Sequence, residues 1–182
     1  MPTPSIRPAT PADAPTLAHV QVTNYRTAYA HHFPPGFWDG VTEEEQTGDW
    51  LEWPNRHPED ALLVARAQGD VVGYVLARRH PYHGAEGAVL ALHVLPEERG
   101  QGYGAALLRS AVEALWERGA RSVGLSTLEG NPVRAWYTAL GGQEVATLEQ
   151  DIDGWVVRET VYLWPDVRVL LEHLARNRKA SG

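Results

Sequence analysis

A glycine-rich turn between an apolar run and a helical pattern is the feature that most constrains the fold of this chain. The apolar run covers residues 89–95, and the turn after it reads Arg99, Gly100, Gln101, Gly102, Tyr103 and Gly104. Small residues let the backbone curl and leave several N–H groups unpaired, and the following helix directs the positive end of its dipole at the turn. The pattern predicts a strand, an anion-binding loop and a helix that together hold a phosphate or pyrophosphate.

The same glycines match one other nucleotide-binding pattern. Gly100, Gly102 and Ala105 satisfy the dinucleotide pattern of glycine, one residue, glycine, two residues, and glycine or alanine. A Rossmann turn follows its first strand directly, whereas residues 96–99 intervene in this chain. A Walker A loop is excluded because no Gly-Lys-Ser/Thr follows. A nicotinamide-dependent oxidoreductase therefore ranks third among three functional hypotheses, well behind an acyl-group transferase and an acyl-group sensor that later motifs suggest.

The composition is that of one globular enzyme domain. The chain has 182 residues, 43% hydrophobic and 21% charged, so we expect a single domain over residues 1–182 with its core at about 4–165. The absence of cysteine excludes disulfides, thiolate metal sites and a cysteine nucleophile. The formal net charge of −7 argues against nonspecific nucleic-acid binding and favours a cationic or amine substrate.

The expected location rests on targeting signals. The first residues lack a basic segment followed by an apolar segment, and no apolar run approaches membrane-spanning length. We therefore expect a cytoplasmic protein that has no membrane partner.

Hydrophobic periodicity predicts an α/β (α+β) fold in which helices flank a mixed sheet. The predicted strands cover residues 5–8, 61–67, 71–79, 89–95, 121–127, 144–150 and 155–163. Five helices are predicted. The first begins at Pro11, the second covers 42–53, the third runs from the glycine turn to near Gly119, the fourth is short and contains Tyr137, and the fifth covers 166–177. Residues 178–182 are expected to form a disordered tail. Thr10 and Asp13 form a capping box at the start of the first helix.

The glycine turn resembles the acyl-CoA signature of the GCN5-related N-acetyltransferase (GNAT) family. Arg99, Gly102 and Gly104 match that signature, and residues 92–96 are similar to the family's fourth strand and its exit. The likeness continues over residues 125–142, where a strand ends in Asn131 and a short helix carries Tyr137. The resemblance implies the GNAT fold, a mixed, mostly antiparallel twisted sheet of six to seven strands flanked by helices, with an extra C-terminal helix at 166–177.

The resemblance also implies an activity. It implies an acetyl-CoA-dependent N-acetyltransferase, in which a primary amine of a small molecule or peptide attacks the thioester directly in a ternary complex. In the family, the fourth strand binds the pantetheine arm, the loop amides bind the pyrophosphate, and a tyrosine at the position of Tyr137 acts as general acid. The expected cofactor-binding residues are Leu92, His93, Val94, Arg99, Gly100, Gln101, Gly102, Tyr103, Gly104, Ala105, Asn131 and Arg134.

Several of these residues have an alternative, purely structural interpretation. Asn131 before Pro132 is also a good helix N-cap, and one side chain could serve both roles. Tyr137 shares a helical stripe with Val133 and Leu140, which would make it a packing residue. Arg99 and Arg134 could instead be solvated surface residues.

The general base is the weakest part of the expected site. The family often places a glutamate at the position of Ala88, so Glu86, two residues earlier on the same strand face, becomes the candidate base. Its structural alternative is a surface carboxylate at a strand start. His93 is the other candidate, although its place in a core strand favours a packed histidine. Without an effective base, the chain could be a non-catalytic acyl-CoA-binding sensor, which is the second hypothesis.

The N-terminal helices and their loop are expected to form the acceptor pocket. The segment is rich in aromatic residues and histidines, namely Tyr25, Tyr29, His31, His32, Phe33, Phe37 and Trp38. Aromatic faces of this kind bind ammonium groups. No metal is expected, because neither His31 and His32 nor His80 and His83 form a helical ligand pair. Dimers are common in the family, so a homodimer is also expected.

Overall fold

The computed structural model describes residues 4–180, with side chains described up to residue 176. Within these residues the chain forms β1 (Ser5–Pro8), β2 (Ala61–Ala67), β3 (Asp70–Arg78), β4 (Gly87–Val94), β5 (Val123–Leu128), β6 (Gln143–Ile152) and β7 (Trp155–Trp164). The α-helices are α1 (Ala14–Thr27), α2 (Glu43–Arg56), α3 (Tyr103–Glu117), α4 (Val133–Ala139) and α5 (Val167–Ala180).

The strands form one open sheet in the order β1-β2-β3-β4-β5-β7-β6. The pairs β1 with β2, β5 with β7 and β6 with β7 are antiparallel, whereas β4 and β5 are parallel. The parallel pair is joined through α3, because parallel neighbours need a crossover connection. A mixed sheet of seven strands flanked by five helices confirms the predicted fold class.

The predicted elements are all present, with shifted ends. The helix predicted over 42–53 extends from Glu43 to Arg56 and contains Pro54 in its last turn. The C-terminal helix predicted over 166–177 begins at Val167, and its bounds extend to Ala180. Residues 181–182 of the predicted tail lie outside the described residues.

The chain divides into two compact units. The first contains residues up to Leu76 together with 91–111, and the second contains residues 77–90 and 112 onward. In the core of the first unit, Leu17 and Val20 on one face of α1 pack with Trp50 of α2 and with the strand residues Val64, Tyr74 and Leu76. This is the apolar helical stripe that the periodicity of the sequence predicts.

The start of α1 is held by an ion pair in the first unit. The carboxylate of Asp13 accepts hydrogen bonds from both terminal nitrogens of Arg7, at 2.7 and 2.8 Å, and from the backbone N–H of Thr10 at 2.7 Å. Because these bonds stabilise the charged carboxylate, the pKa of Asp13 falls from 3.8 to about 2. The predicted capping box therefore forms, reinforced by an arginine from β1.

The core of the second unit is aromatic where α4 and β7 meet. Tyr137 of α4 lies 5.6 Å from the ring of Tyr162 and 6.2 Å from that of Trp164, measured between centroids. The indole N–H of Trp164 donates to the carbonyl of Leu140, and a Cβ on Gly142 would come within 2.7 Å of the Trp164 ring. Gly142 therefore permits the close packing of β6 beneath this aromatic cluster.

None of the helices in the described part of the chain combines the length and the apolar character that a membrane span requires.

Candidate active site

The glycine loop of the first unit presents a row of backbone N–H groups. Gly100 and Gly102 have φ values of +77° and +86°, a conformation that glycine adopts without strain. Among the described residues, no acceptor receives a hydrogen bond from the amides of residues 100–105, whereas the amide of Ala106 donates to the carbonyl of Gly102. These amides lie at the N-terminus of the 15-residue helix α3, so the loop has the chemistry of an anion cradle.

The space beside the loop is open. A Cβ built on Gly100 or Gly102 would meet no atom within 4 Å, and the side chain of Gln101 turns away to bond Glu98 at 2.9 Å. The unpaired amides and the free volume together fit a phosphate or pyrophosphate group, as the sequence pattern predicted.

Asn24 connects the loop to helix α1. The Arg99 guanidinium donates to Oδ1 of Asn24 at 2.6 Å, while Nδ2 of Asn24 donates to the carbonyls of Val20 at 2.8 Å and Val94 at 3.3 Å. Asn24 is buried, with 3% of its surface exposed. The sequence predicts Asn24 only as part of the α1 stripe; a polar residue in register with Leu17 and Val20 was the signal for this role.

The end of β4 approaches β3 closely. The carbonyl of His93 lies so near Gly73 that a Cβ there would come within 2.6 Å of the oxygen. The N–H of Leu95 donates to the carbonyl of Val72 at 2.9 Å. Leu92 and Val94, whose backbone the resemblance assigns to the pantetheine arm, are both half-buried.

His93 is packed inside an aromatic cluster. Its ring lies 5.3 Å from that of Tyr74, 6.0 Å from that of Tyr29 and 6.3 Å from that of Tyr25. Burial, with a smaller contribution from the positive charge of Arg99, lowers the pKa of His93 from 6.5 to about 4. The ring is therefore neutral and weakly basic at neutral pH, which argues against His93 as the general base.

In the first unit, the aromatic residues of the loop after α1 form a cluster with Tyr25 of α1. Trp38 lies 4.6 Å from the ring of Tyr25 and 4.7 Å from that of Phe33, and Phe37 contacts both Phe33 and Trp38. The indole N–H of Trp38 is buried and has no hydrogen-bond partner among the described residues. A buried donor of this kind costs about 1–3 kcal/mol when it stays unpaired.

In the second unit, Asn131 caps helix α4. Its Oδ1 accepts from the N–H of Val133 at 3.1 Å, and its carbonyl accepts from the N–H of Arg134 at 3.1 Å. Asn131 thus satisfies the first N–H of α4, as a capping residue does, although Pro132 occupies the N-cap position itself. The cofactor contact that the resemblance implies for it stays a prediction.

Arg134 is engaged with neighbouring side chains. Its guanidinium donates to the hydroxyl of Tyr162 at 3.3 Å and to the carboxylate of Glu144 at 3.2 Å, and Tyr162 donates to the same carboxylate at 2.7 Å. The hydrogen bonds with Tyr162 and then Arg134 lower the pKa of Glu144. Contact between Arg134 and a cofactor phosphate would have to compete with this network.

Tyr137 is buried, with 6% of its surface exposed, and belongs to the aromatic core of the second unit. The packing role predicted from its helical stripe is thus present. Its role as general acid stays a prediction.

Glu86 lies just before β4 and is exposed. Its carboxylate accepts from the backbone N–H of Arg121 at 2.6 Å, and its own N–H donates to Oγ of Ser122 at 3.0 Å. These bonds join the starts of β4 and β5, which is the structural alternative given for this residue. A catalytic role for Glu86 stays a prediction.

The histidine pairs give no sign of a metal site. Within the described part of the chain, no group of three or more histidine, cysteine, aspartate or glutamate side chains is arranged to hold a metal ion. His80 and His83 instead belong to the loop between β3 and β4, where the two rings flank Tyr82.

Comparison with known proteins identifies the family. Residues 25–141 match the Acetyltransferase (GNAT) family. The uncharacterized N-acetyltransferase YuaI of Bacillus subtilis strain 168 is 28% identical over 174 residues, which cover 94% of this chain and 99% of that protein.

Solved structures show the same fold. The ribosomal-protein-alanine N-acetyltransferase of Brucella melitensis superimposes with a TM-score of 0.68 at 26% identity, over 88% of this chain and 98% of that one. The PaiA N-acetyltransferase of Thermoplasma acidophilum, solved in complex with coenzyme A, gives a TM-score of 0.67 at 19% identity, over 87% of this chain and 98% of that one. Because the family match spans more than half of the chain and includes both the glycine loop and Tyr137, the chain belongs to the acetyltransferase (GNAT) family.

Proposed function

We propose that this protein transfers the acetyl group of acetyl-CoA to a primary amine of a small molecule or a peptide, by direct attack in a ternary complex. The observation that carries the proposal is the row of unpaired amides at residues 100–105, at the start of α3. A helix N-terminus with free N–H groups binds a pyrophosphate through both hydrogen bonds and the helix dipole.

The residues that would hold the cofactor are those of the loop and of the end of β4. The amides of residues 100–105 would bind the pyrophosphate, with Arg99 positioned by Asn24. The backbone at Leu92 and Val94 would bind the pantetheine arm. Asn131 and Arg134 would contribute from the segment after β5, where Arg134 would first have to leave Tyr162 and Glu144.

The chemistry requires a proton acceptor and a proton donor. Bound acetyl-CoA supplies the thioester carbonyl that the amine attacks, and its sulfur leaves with the electrons of the carbon–sulfur bond. Tyr137 would donate its hydroxyl proton to the departing sulfur as general acid. Glu86 is the base expected from the sequence, and its carboxylate already accepts a backbone hydrogen bond from Arg121.

The aromatic loop of the first unit supports an acceptor site for an amine. Tyr25 and Trp38 are half-buried members of this aromatic cluster, and aromatic side chains of this kind attract cations. The acidic net charge of −7 also favours a cationic substrate.

A second candidate function is a sensor that binds acyl-CoA without turnover. Ala88 stands where the family often has a glutamate, and the carboxylate of Glu86 holds the start of β5. A chain that keeps the anion cradle and lacks a base would bind the cofactor and leave amines unchanged.

Calorimetric titration with acetyl-CoA and with NADH tests the proposal first. Free-thiol release is then followed over a panel of polyamines, aminoglycosides and peptides with free N-termini. Acetyl-CoA binding with thiol release on one amine class supports the transferase. Binding of acetyl-CoA without release on any amine supports the sensor, and binding of NADH alone contradicts both.

The homodimer and the cytoplasmic location belong to the same proposal. The edge strand β6 offers unpaired backbone groups, and the exposed apolar side chains Val145, Trp155 and Val156 lie on β6 and its partner β7. Light scattering measures the dimer directly, because a monomer has a mass of 20.1 kDa.

A further inference from the structure

One face of the sheet in the second unit carries a set of polar side chains that have no role in the proposed function described above. Gly124 of β5 pairs with Ala88 of β4. Further along β5, Ser126 lies opposite Val161 and Leu128 lies opposite Glu159 of β7. Because paired residues and alternate residues of a strand share a face, Ser126 and Glu159 project to the same side as Ala88.

A hydrogen bond on this face joins β5 to β7. Oγ of Ser126 donates to Oε2 of Glu159 at 2.8 Å. The hydroxyl of Tyr82 lies near both groups: burial raises its pKa, Ser126 lowers it and the charge of Glu159 raises it. Tyr82, Ser126 and Glu159 therefore share one polar cluster.

The backbone is shaped to hold Tyr82 over this face. A Cβ on Gly124 would come within 2.9 Å of Cδ1 of Tyr82, so glycine leaves room for the ring. Tyr82 and Ala85 exchange backbone hydrogen bonds at 3.0 and 2.9 Å across His83 and Gly84, whose φ values are +47° and +90°. Two central residues with positive φ form a tight turn that fixes the direction of Tyr82.

Glu159 lacks a positive partner. Its strand lies between β5 and β6, and its side chain is half-buried. Over residues 4–176, no arginine, lysine or histidine forms an ion pair with it, and its hydrogen bond is the one from Ser126. A half-buried carboxylate that has no cationic partner in the protein is suited to pair with a cationic group of a ligand.

An apolar side chain is exposed on the same face. Leu90 stands two residues after Ala88 on β4, and 40% of its surface is exposed. An exposed leucine on a strand inside a sheet, on the face that carries a carboxylate, matches a ligand that has an ammonium group on an aliphatic body.

We propose that Glu159 binds the ammonium group of the acceptor amine and removes its proton, with Ser126 and Tyr82 as positioning residues. This inference rests on the proposed acetyltransferase function. A proton passes from the ammonium nitrogen to a carboxylate oxygen of Glu159, and the freed electron pair forms the new bond to the acetyl carbon. The carbon–sulfur bond breaks, and its electrons leave with the sulfur, which takes a proton from Tyr137. The new amide nitrogen gives up its second proton to the tyrosinate, so Tyr137 is restored. Glu159 thereby supplies the base that β4 lacks at Ala88.

The first test measures amine binding and needs no identified substrate. The backbone amide signals of the ¹⁵N-labelled full chain are followed during titration with butylammonium chloride, with 1-butanol and sodium chloride as neutral and ionic controls. Signals of Ser126, Glu159 and Thr160 are expected to shift with butylammonium alone. The shifts are expected to disappear in Glu159→Gln and to persist in Glu149→Gln, which removes a charge from the same hairpin. Absence of the shifts in the parent protein, or their persistence in Glu159→Gln, overturns the proposal.

The second test measures turnover on the acceptor that the amine panel identifies. Glu159→Gln is expected to lower kcat/KM for the amine by about 100-fold, the usual contribution of a general base, while the Kd of acetyl-CoA stays unchanged. Ser126→Ala is expected to raise the KM of the amine, and Ser126→Thr, which keeps a hydroxyl, to restore it. Normal turnover in Glu159→Gln overturns the proposal. Failure of the parent protein to bind acetyl-CoA instead overturns the acetyltransferase function, and the butylammonium titration then reports on Glu159 independently.

Discussion

Arg99 and Asn24 are joined by a hydrogen bond of 2.6 Å, which ties the first residue of the glycine loop to helix α1. The same asparagine donates to the carbonyl of Val94 at the end of β4. One buried amide thus connects α1 to both ends of the segment that links β4 to the loop. The anion cradle is held in place by a side chain that lies 75 residues earlier in the chain.

Asn24→Ala removes this connection. We expect the free energy of unfolding to fall by about 1–3 kcal/mol, because the buried Asn24 amide no longer makes its hydrogen bonds with Val20, Val94 and Arg99. We also expect acetyl-CoA to bind about tenfold more weakly, because Arg99 is no longer oriented. Chemical denaturation and calorimetry measure the two effects. Thr27→Ala, which removes an exposed bond to Thr23 on the same helix, is the control and should change neither quantity appreciably.

Gly102→Val tests the loop itself. A β-branched residue at a φ of +86° costs about 1–2 kcal/mol and distorts the row of amides. We expect acetyl-CoA binding to be lost in calorimetry. Gly154→Val is the matched control, because Gly154 has a φ of +82° and equally open surroundings at the turn between β6 and β7. Equal loss of cofactor binding in both variants would show that backbone strain, and not the cradle, is responsible.

Tyr137→Phe separates chemistry from packing. The ring stays in contact with Tyr162 and Trp164, so the melting temperature and the Kd of acetyl-CoA should change little. The turnover number should fall, because the proton for the departing sulfur is lost. Tyr137→Leu, which also removes the aromatic contacts, should lower the melting temperature as well. Normal turnover of the phenylalanine variant at every pH would contradict the general-acid role.

His93 makes stability depend on pH. Its pKa is about 4 in the folded protein and near 6.5 when unfolded, so the unfolded state binds more protons between these values. The contribution of His93 to the free energy of unfolding is fully present above pH 6.5 and is lost as the pH falls to about 4. The total loss is about 3 kcal/mol. Urea unfolding of His93→Gln across this range should lack that loss. His19→Gln, at an exposed site, should retain it.

A good part of the candidate site was predictable, because the sequence patterns that specify it lie within a few residues of one another. Glycines at fixed spacing, followed by a helix, specify the conformation of residues 100–105 and the direction of their amides. The capping role of Asn131 depends on residues next to it, and the strand and helix order follows from periodicity. Helix ends were less predictable, since α2 continues through Pro54 once its side chains pack on α1.

The sequence by itself determined the family, the fold class, the glycine loop at the start of α3 and the place of Tyr137 on a short helix, because each depends on spacing within a short segment. The tertiary structure decided the partners of the charged groups: Asn24 for Arg99, the Arg121 amide for Glu86, and Ser126 for Glu159. These partners lie 33 to 75 residues apart in the chain. Strand register and helix packing bring them together, and neither is encoded in the immediate neighbours of a residue.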